Sequence, residues 1–209
     1  MSKSERMKLH WSPLSPYVRK VMICAHELEL VDRLELVRSV AAMSAPNETL
    51  MKDNPLAKIP TLVLESGSLF DSIVICEYLD ELHGGQRLFP RERGQRFSGL
   101  RWHALADGWL DVLILWRNER SKPVERRTPE WLAGFELKTH AVLDRIERQL
   151  PELEALPFGI GQIAVGCALG YADYRFADLG WRGAHPRTGH WFAAISERAS
   201  FQATFPREG

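Results

Sequence analysis

The chain has 209 residues, 45% of them hydrophobic, with 27 basic and 27 acidic side chains in balance. This composition supports a buried core, excludes an intrinsically disordered chain, and argues against a protein built to hold nucleic acid. No apolar run approaches the roughly 20 residues of a membrane span, and "MSKSERMKLHW" lacks the apolar core of a secretion signal, so a cytoplasmic protein outside the membrane is expected.

Three cysteines, Cys24, Cys76 and Cys167, lie far apart in apolar surroundings without a CxxC pair, so they read as buried small hydrophobes and not as disulfides. The histidines include no HxxxH or HExxH pair, and His185 and His190 have no third ligand near them in sequence. No metal site is expected.

"MKLHW" alternates Met7, Leu9 and Trp11 with Lys8 and His10, the pattern of a half-buried strand. Val18, Val21, Met22 and Ala25 then form a helical stripe from about Pro16 to Leu28, with proline tolerated in the first turn. "DRLELV" reads as a second strand, and "SAPNETLMKDNP" as a short helix or loop ending before Pro55. "TLVLE" and "SLF" form a hairpin about a Ser66-Gly67 turn. Asp71-Ser72 offers an N-cap to a helix bearing Ile75, Tyr78, Leu79 and Leu82 on one face. A β-α-β unit followed by β-β-α implies a small mixed sheet with helices packed on it.

"HGGQRLFPRERGQ" reads as a linker, and no strand signal follows it. Phe97, Leu100, Leu105, Trp109, Val112, Leu113 and Trp116 mark a long helix. Phe135, Thr139, Val142, Leu143, Ile146 and Leu150 mark a second. Ile163, Cys167, Ala168 and Tyr171 mark a third, in which Gly166 and Gly170 suggest close helix packing. Trp191, Phe192 and Ile195 mark the last expected helix. The expected organisation is α/β plus all-α: one domain over residues 7–83, a linker over 84–94, and an all-helical domain over 95–209.

From about Met7 to Pro206 the chain resembles the cytosolic glutathione transferases, as a bacterial member with serine at the active position. The resemblance rests on "SPLSPYVRKV", "NPLAKIPTLV" and "DSIVICEYLDE", and in the helical half on "ALADGWLD", "IAVGCALGYADYRFADLGW" and "SFQATFP". It implies an N-terminal thioredoxin-like domain that binds glutathione, followed by a C-terminal helical bundle. It also implies a cytoplasmic homodimer with a role in detoxification. A pocket for a small apolar electrophile is expected between the two domains. Glutathione enters as co-substrate, and no permanently bound cofactor is implied.

Glutathione is a useful nucleophile only as the thiolate, and a free thiol with pKa near 8.5 is mostly protonated at neutral pH. Lowering that pKa by two units takes about 2.7 kcal/mol of selective stabilisation. A hydroxyl donating to sulfur supplies part of it, and a helix N-terminus more. Ser12 ends the first strand and stands seven positions before Arg19, the spacing that the resemblance associates with the catalytic serine. Ser15, immediately before Pro16, is placed as an N-cap. Tyr17, the third hydroxyl, lies inside the expected helix. A serine in place of cysteine argues against mixed-disulfide chemistry.

The resemblance extends the glutathione site to Lys58, Ile59 and Pro60, with a cis peptide turning the Ile59 backbone towards the peptide substrate, and to Asp71 and Ser72 for the γ-glutamyl group. The segment "AAMSAPNETL" has no Lys, Arg or His for the glycyl carboxylate, which leaves Arg38 or Lys52 as substitutes. Trp11, Leu14, His103, Asp107 and Leu110 are the expected lining of the electrophile pocket. Gly159 and Gln162 stand where the family carries a helix-capping box, which reads as weakened here. The leading expectation is therefore conjugation of glutathione to apolar electrophiles. Glutathione-dependent isomerisation or dehalogenation, or a non-catalytic binding protein on the same fold, remain alternatives.

Overall fold

The computed structural model describes residues 6–42 and 44–206. The expected helical domain runs to residue 209, so its last three residues lie outside the described ones. The chain forms two compact units. One comprises the residues up to Arg91 together with those from Arg198 onward, and the other spans Glu92–Glu197.

The first unit begins with β1 (Met7–Trp11), α1 (Pro16–Glu27) and β2 (Leu34–Arg38), followed by α2 (Glu48–Asp53). It continues with β3 (Thr61–Leu64), β4 (Gly67–Leu69) and α3 (Ser72–His83). The sheet order is β2-β1-β3-β4. β1 runs parallel to β2 and antiparallel to β3, and β3 pairs antiparallel with β4. This is the mixed sheet expected from the strand-helix order. The hairpin turn sits one residue earlier than expected, at Glu65-Ser66, because Leu64 already pairs with Gly67.

The alternation in β1 breaks at its end. His10 is only 2% exposed, whereas Trp11 is half-buried. β1 is a central strand, and His10 has polar partners in Ser39, just after β2, and Asp53 in α2 that satisfy the ring. Asp80, buried near the end of α3, accepts from the backbone N–H groups of Gln86, Arg87, Leu88 and Phe89 at 2.8–3.3 Å. One carboxylate thus organises the segment that leaves α3.

A short helix that periodicity did not reveal, α9 (Ala199–Ala203), packs on α1 and belongs to this unit. Arg19 secures it: its guanidinium donates to the Phe201 carbonyl and lies over the Phe201 ring, 5.5 Å from the centroid. The sequence reading assigned this segment to the helical domain. Five residues are too few to show a helical stripe, and the deciding contact spans most of the chain.

The second unit contains α4 (Arg93–Arg120), α5 (Pro129–Glu154), α6 (Ile160–Arg175), α7 (Trp181–Ala184) and α8 (Pro186–Ser196). α4 starts within the expected linker, capped by Glu92, whose carboxylate accepts from Gly94 and Gln95. Its Phe97 is 62% exposed and does not join the core, unlike Trp109 and Leu113. α6 is buried continuously from Ile160 to Ala172. It comes close to α4 at Gly161, where an added Cβ would stand 3.1 Å from the Gly99 carbonyl. Gly166 and Gly170 are also buried. Gln162 accepts from the Gly159 N–H while its amide group donates to the carbonyls of Leu153, Leu156 and Pro157. The expected weakening is therefore offset, since glutamine supplies donors that a carboxylate lacks.

Candidate active site

The two serines after β1 have different jobs. Ser15 is the N-cap of α1, its Oγ accepting from Val18 N–H at 3.3 Å. Ser12 precedes the helix, and its Oγ accepts from Leu14 N–H at 3.4 Å. That bond uses a lone pair of Ser12 and leaves its own proton available for donation. The β1–β3 register pairs His10 with Thr61. That is the last pair of the ladder, and Ser12 and Ile59 both lie beyond it.

The Ile59–Pro60 peptide is cis, as expected. Ile59 lies outside the β1–β3 pairing, just ahead of β3. The turn before it is held by Asn54, which is fully buried. Asn54 Nδ2 donates to Thr61 Oγ1 at 2.9 Å and to the Lys58 carbonyl, which also accepts from Thr61 Oγ1 at 2.8 Å. Its Oδ1 accepts from Leu56 N–H. The Lys58 side chain is exposed.

Asp71 caps α3, its Oδ1 accepting from Ile73 N–H at 3.1 Å. Asp71 is exposed, whereas Ser72, at the first helical position, is only 2% exposed. Of the two basic substitutes, Arg38 is exposed and pairs in register with Trp11, next to Ser12. Lys52 is exposed on α2.

The residues expected to line the electrophile pocket are dispersed in character. Trp11 and Leu14 are half-buried beside Ser12 in the first unit. In the second unit His103 is nearly buried, and its Nε2 lies 3.1 Å from Asp107 Oδ2 one turn along α4. Leu110 is fully buried. It offers no surface to a ligand and is a core residue, as leucine at helical spacing usually is.

Residues 14–82 match the glutathione S-transferase N-terminal domain, and residues 129–194 match the C-terminal domain of the same family. The chain is 30% identical to the uncharacterized GST-like protein YibF of Escherichia coli K12 over 96% of its own length and 98% of that protein. The chain belongs to the glutathione S-transferase family. A family member from Pseudomonas fluorescens Pf-5, solved with bound glutathione, is 42% identical, with a TM-score of 0.92 over 97% of this chain and 100% of that one. A structure of a Pseudomonas fluorescens Pf-5 family member with bound S-(propanoic acid)-glutathione is 41% identical, with a TM-score of 0.88 over 96% of this chain and 100% of that one.

Two supports of this glutathione S-transferase fold were missed in the sequence. Asn54 was visible only as the residue before a proline. His10 was read as a solvent-side strand residue. Its Nε2 lies 2.7 Å from Asp53 Oδ2 and its Nδ1 2.7 Å from Ser39 Oγ, while Lys8 Nζ reaches the same Asp53 oxygen at 2.6 Å. Hydrogen bonds from Lys8 and then His10 hold the Asp53 carboxyl below its ordinary value. This network ties the end of α2 to β1 and β2. A carboxylate directly before Asn54 was the available sequence signal, but its partner 43 residues away had no local mark.

Proposed function

We propose that the chain is a glutathione transferase that conjugates the glutathione thiolate to small apolar electrophiles, with Ser12 donating its hydroxyl proton to the sulfur. The observation that carries this reading is the state of Ser12: its oxygen is engaged by Leu14 N–H, its proton is uncommitted, and it follows the end of the β1–β3 ladder, beyond which Ile59 also lies. An amide already donating to the oxygen makes the hydroxyl a stronger donor. α1, beginning four residues later at Pro16, adds its positive end to the same region.

Glutathione in this reading pairs its cysteinyl backbone with Ile59 after the cis-Pro60 turn, and Lys58 faces one of its carboxylates. The γ-glutamyl end meets Asp71 and the Ser72 N–H, and Arg38 takes the glycyl carboxylate in place of the missing family cation. Trp11 and Leu14 flank the sulfur. The bound thioether in the 41% identical relative supports conjugation, because a thioether is what thiolate attack on carbon yields. Cytoplasmic detoxification as a homodimer belongs to the same proposal.

The deciding experiment is a thiolate absorbance titration of the glutathione complex. Wild type should show a thiol pKa well below that of free glutathione, and Ser12→Ala should return it towards the free value. No binding at millimolar glutathione, or a shift abolished by Ser15→Ala and retained in Ser12→Ala, overturns the assignment.

A further inference from the structure

A cavity of about 410 Å³ lies at the C-terminal end of α1, lined by His26, Glu27, Glu29, Arg87, Arg198 and Ser200. All six residues belong to the first unit. The volume falls within the roughly 300–1,000 Å³ of small-molecule sites. Ser15 and Ser12 are at the other end of α1, whose 12 residues span about 18 Å.

One wall of the cavity is fixed. Glu27 accepts from Arg198 Nε at 3.0 Å and Nη2 at 2.7 Å, and from Ser200 Oγ at 2.6 Å. Burial raises the Glu27 carboxyl, but the bonds from Arg198 and Ser200 outweigh burial and hold it below its ordinary value. Glu27 and Arg198 thus cancel each other's charge.

The other groups are not committed. Among the described residues, the Arg87 guanidinium, the His26 ring and the Glu29 carboxylate enter no hydrogen bond or ion pair. Arg87 and Glu29 carry opposite charges on one cavity without pairing with each other. The Arg87 backbone is held by Asp80, which accepts from its N–H at 3.2 Å. Glu29 stands just past α1 with φ of 56°, the left-handed region where a helix end usually carries glycine or asparagine. The chain keeps a carboxylate at the cavity there against a conformational cost.

We propose that this cavity binds the zwitterionic head of an α-amino acid. Arg87 takes the carboxylate through its guanidinium fork. Glu29 and the negative end of α1 take the ammonium, and His26 supplies a further hydrogen-bonding group. A simple anion would face Glu29 and a simple cation would face Arg87, whereas a ligand carrying both charges satisfies both. This site does not depend on the conjugation reading.

The test titrates each proteinogenic L-amino acid into the full chain by calorimetry at millimolar concentration. At least one should bind. Its C-terminal amide and its deaminated acid, which each lack one charge, should bind about tenfold more weakly. R87Q should remove the preference over the amide. Glu29→Asn, which suits a left-handed position, should remove the preference over the deaminated acid without lowering Tm. R91Q, outside the cavity lining, should bind as wild type does. The proposal is overturned by no binding of any amino acid, by amide or deaminated acid binding as tightly, or by unchanged affinity in both R87Q and E29N. Repeating the titration in millimolar glutathione separates the sources of the head group. Unchanged affinity assigns the site to a free amino acid, competition assigns it to the γ-glutamyl end of glutathione, and both results uphold the zwitterion site.

Discussion

His10 Nε2 faces Asp53 Oδ2 at 2.7 Å from a position that is almost fully buried. A carboxylate accepts only, so Nε2 carries the proton, and Nδ1 meets a Ser39 hydroxyl able to donate or accept. The ring is satisfied either way, and it joins the end of α2 to the central strand of the sheet.

Asp53→Asn should therefore destabilise the protein by roughly 2 kcal/mol, the scale of lost hydrogen bonds to a charged group. The substitution should also flatten the acid side of the stability profile. The folded carboxyl is held below its ordinary value by Lys8 and His10. Its stabilisation is fully present above the unfolded-state pKa near 4 and is lost as pH falls through the lower folded value. Urea unfolding midpoints measured from pH 7 downward check this: wild type should lose more stability below about pH 4 than the variant.

Ser12 and Ser15 should separate cleanly in paired measurements. Ser15→Ala removes the α1 cap and should cost about 1 kcal/mol of stability with the glutathione thiol pKa unchanged. Ser12→Ala should leave stability within about 0.5 kcal/mol and raise the thiol pKa. Thermal unfolding and thiolate absorbance on the same preparations read both effects.

Asn54→Asp keeps the shape of the side chain and its acceptor for Leu56 N–H but removes both donors to Lys58 and Thr61. It should destabilise the first unit by roughly 2–3 kcal/mol through a buried charge facing oxygen atoms. Glutathione affinity should fall with it, because the same donors hold the turn carrying Ile59. Lys58→Ala, which removes only an exposed side chain, should leave stability within about 0.5 kcal/mol. Calorimetric titration beside chemical denaturation distinguishes the two.

Gln162→Glu tests the join between α5 and α6. The substituted residue still accepts from Gly159 N–H, yet it turns a buried carboxylate towards the carbonyls of Leu153, Leu156 and Pro157. A loss of about 3 kcal/mol is expected, measured as a lower urea midpoint. Retained stability would show that the donors to those carbonyls contribute nothing.

The sequence by itself determined the elements whose signals are local. Helical stripes, the Ser15-Pro16 and Asp71-Ser72 starts, and the short alternating strands all depend on neighbours within a few residues. The same short range explains the separation of the two serines. The tertiary structure decided what depends on partners far along the chain. His10 became a buried network residue because Asp53 and Ser39 reach it, and Asn54 became a brace because the chain folds back through Lys58 and Thr61. Residues 199–203 joined the first unit through Arg19. Leu110 left the expected pocket for the core. In each case, burial requires a polar group to find a partner or an apolar one to lose its surface, and no window of local sequence records which distant group answers that demand.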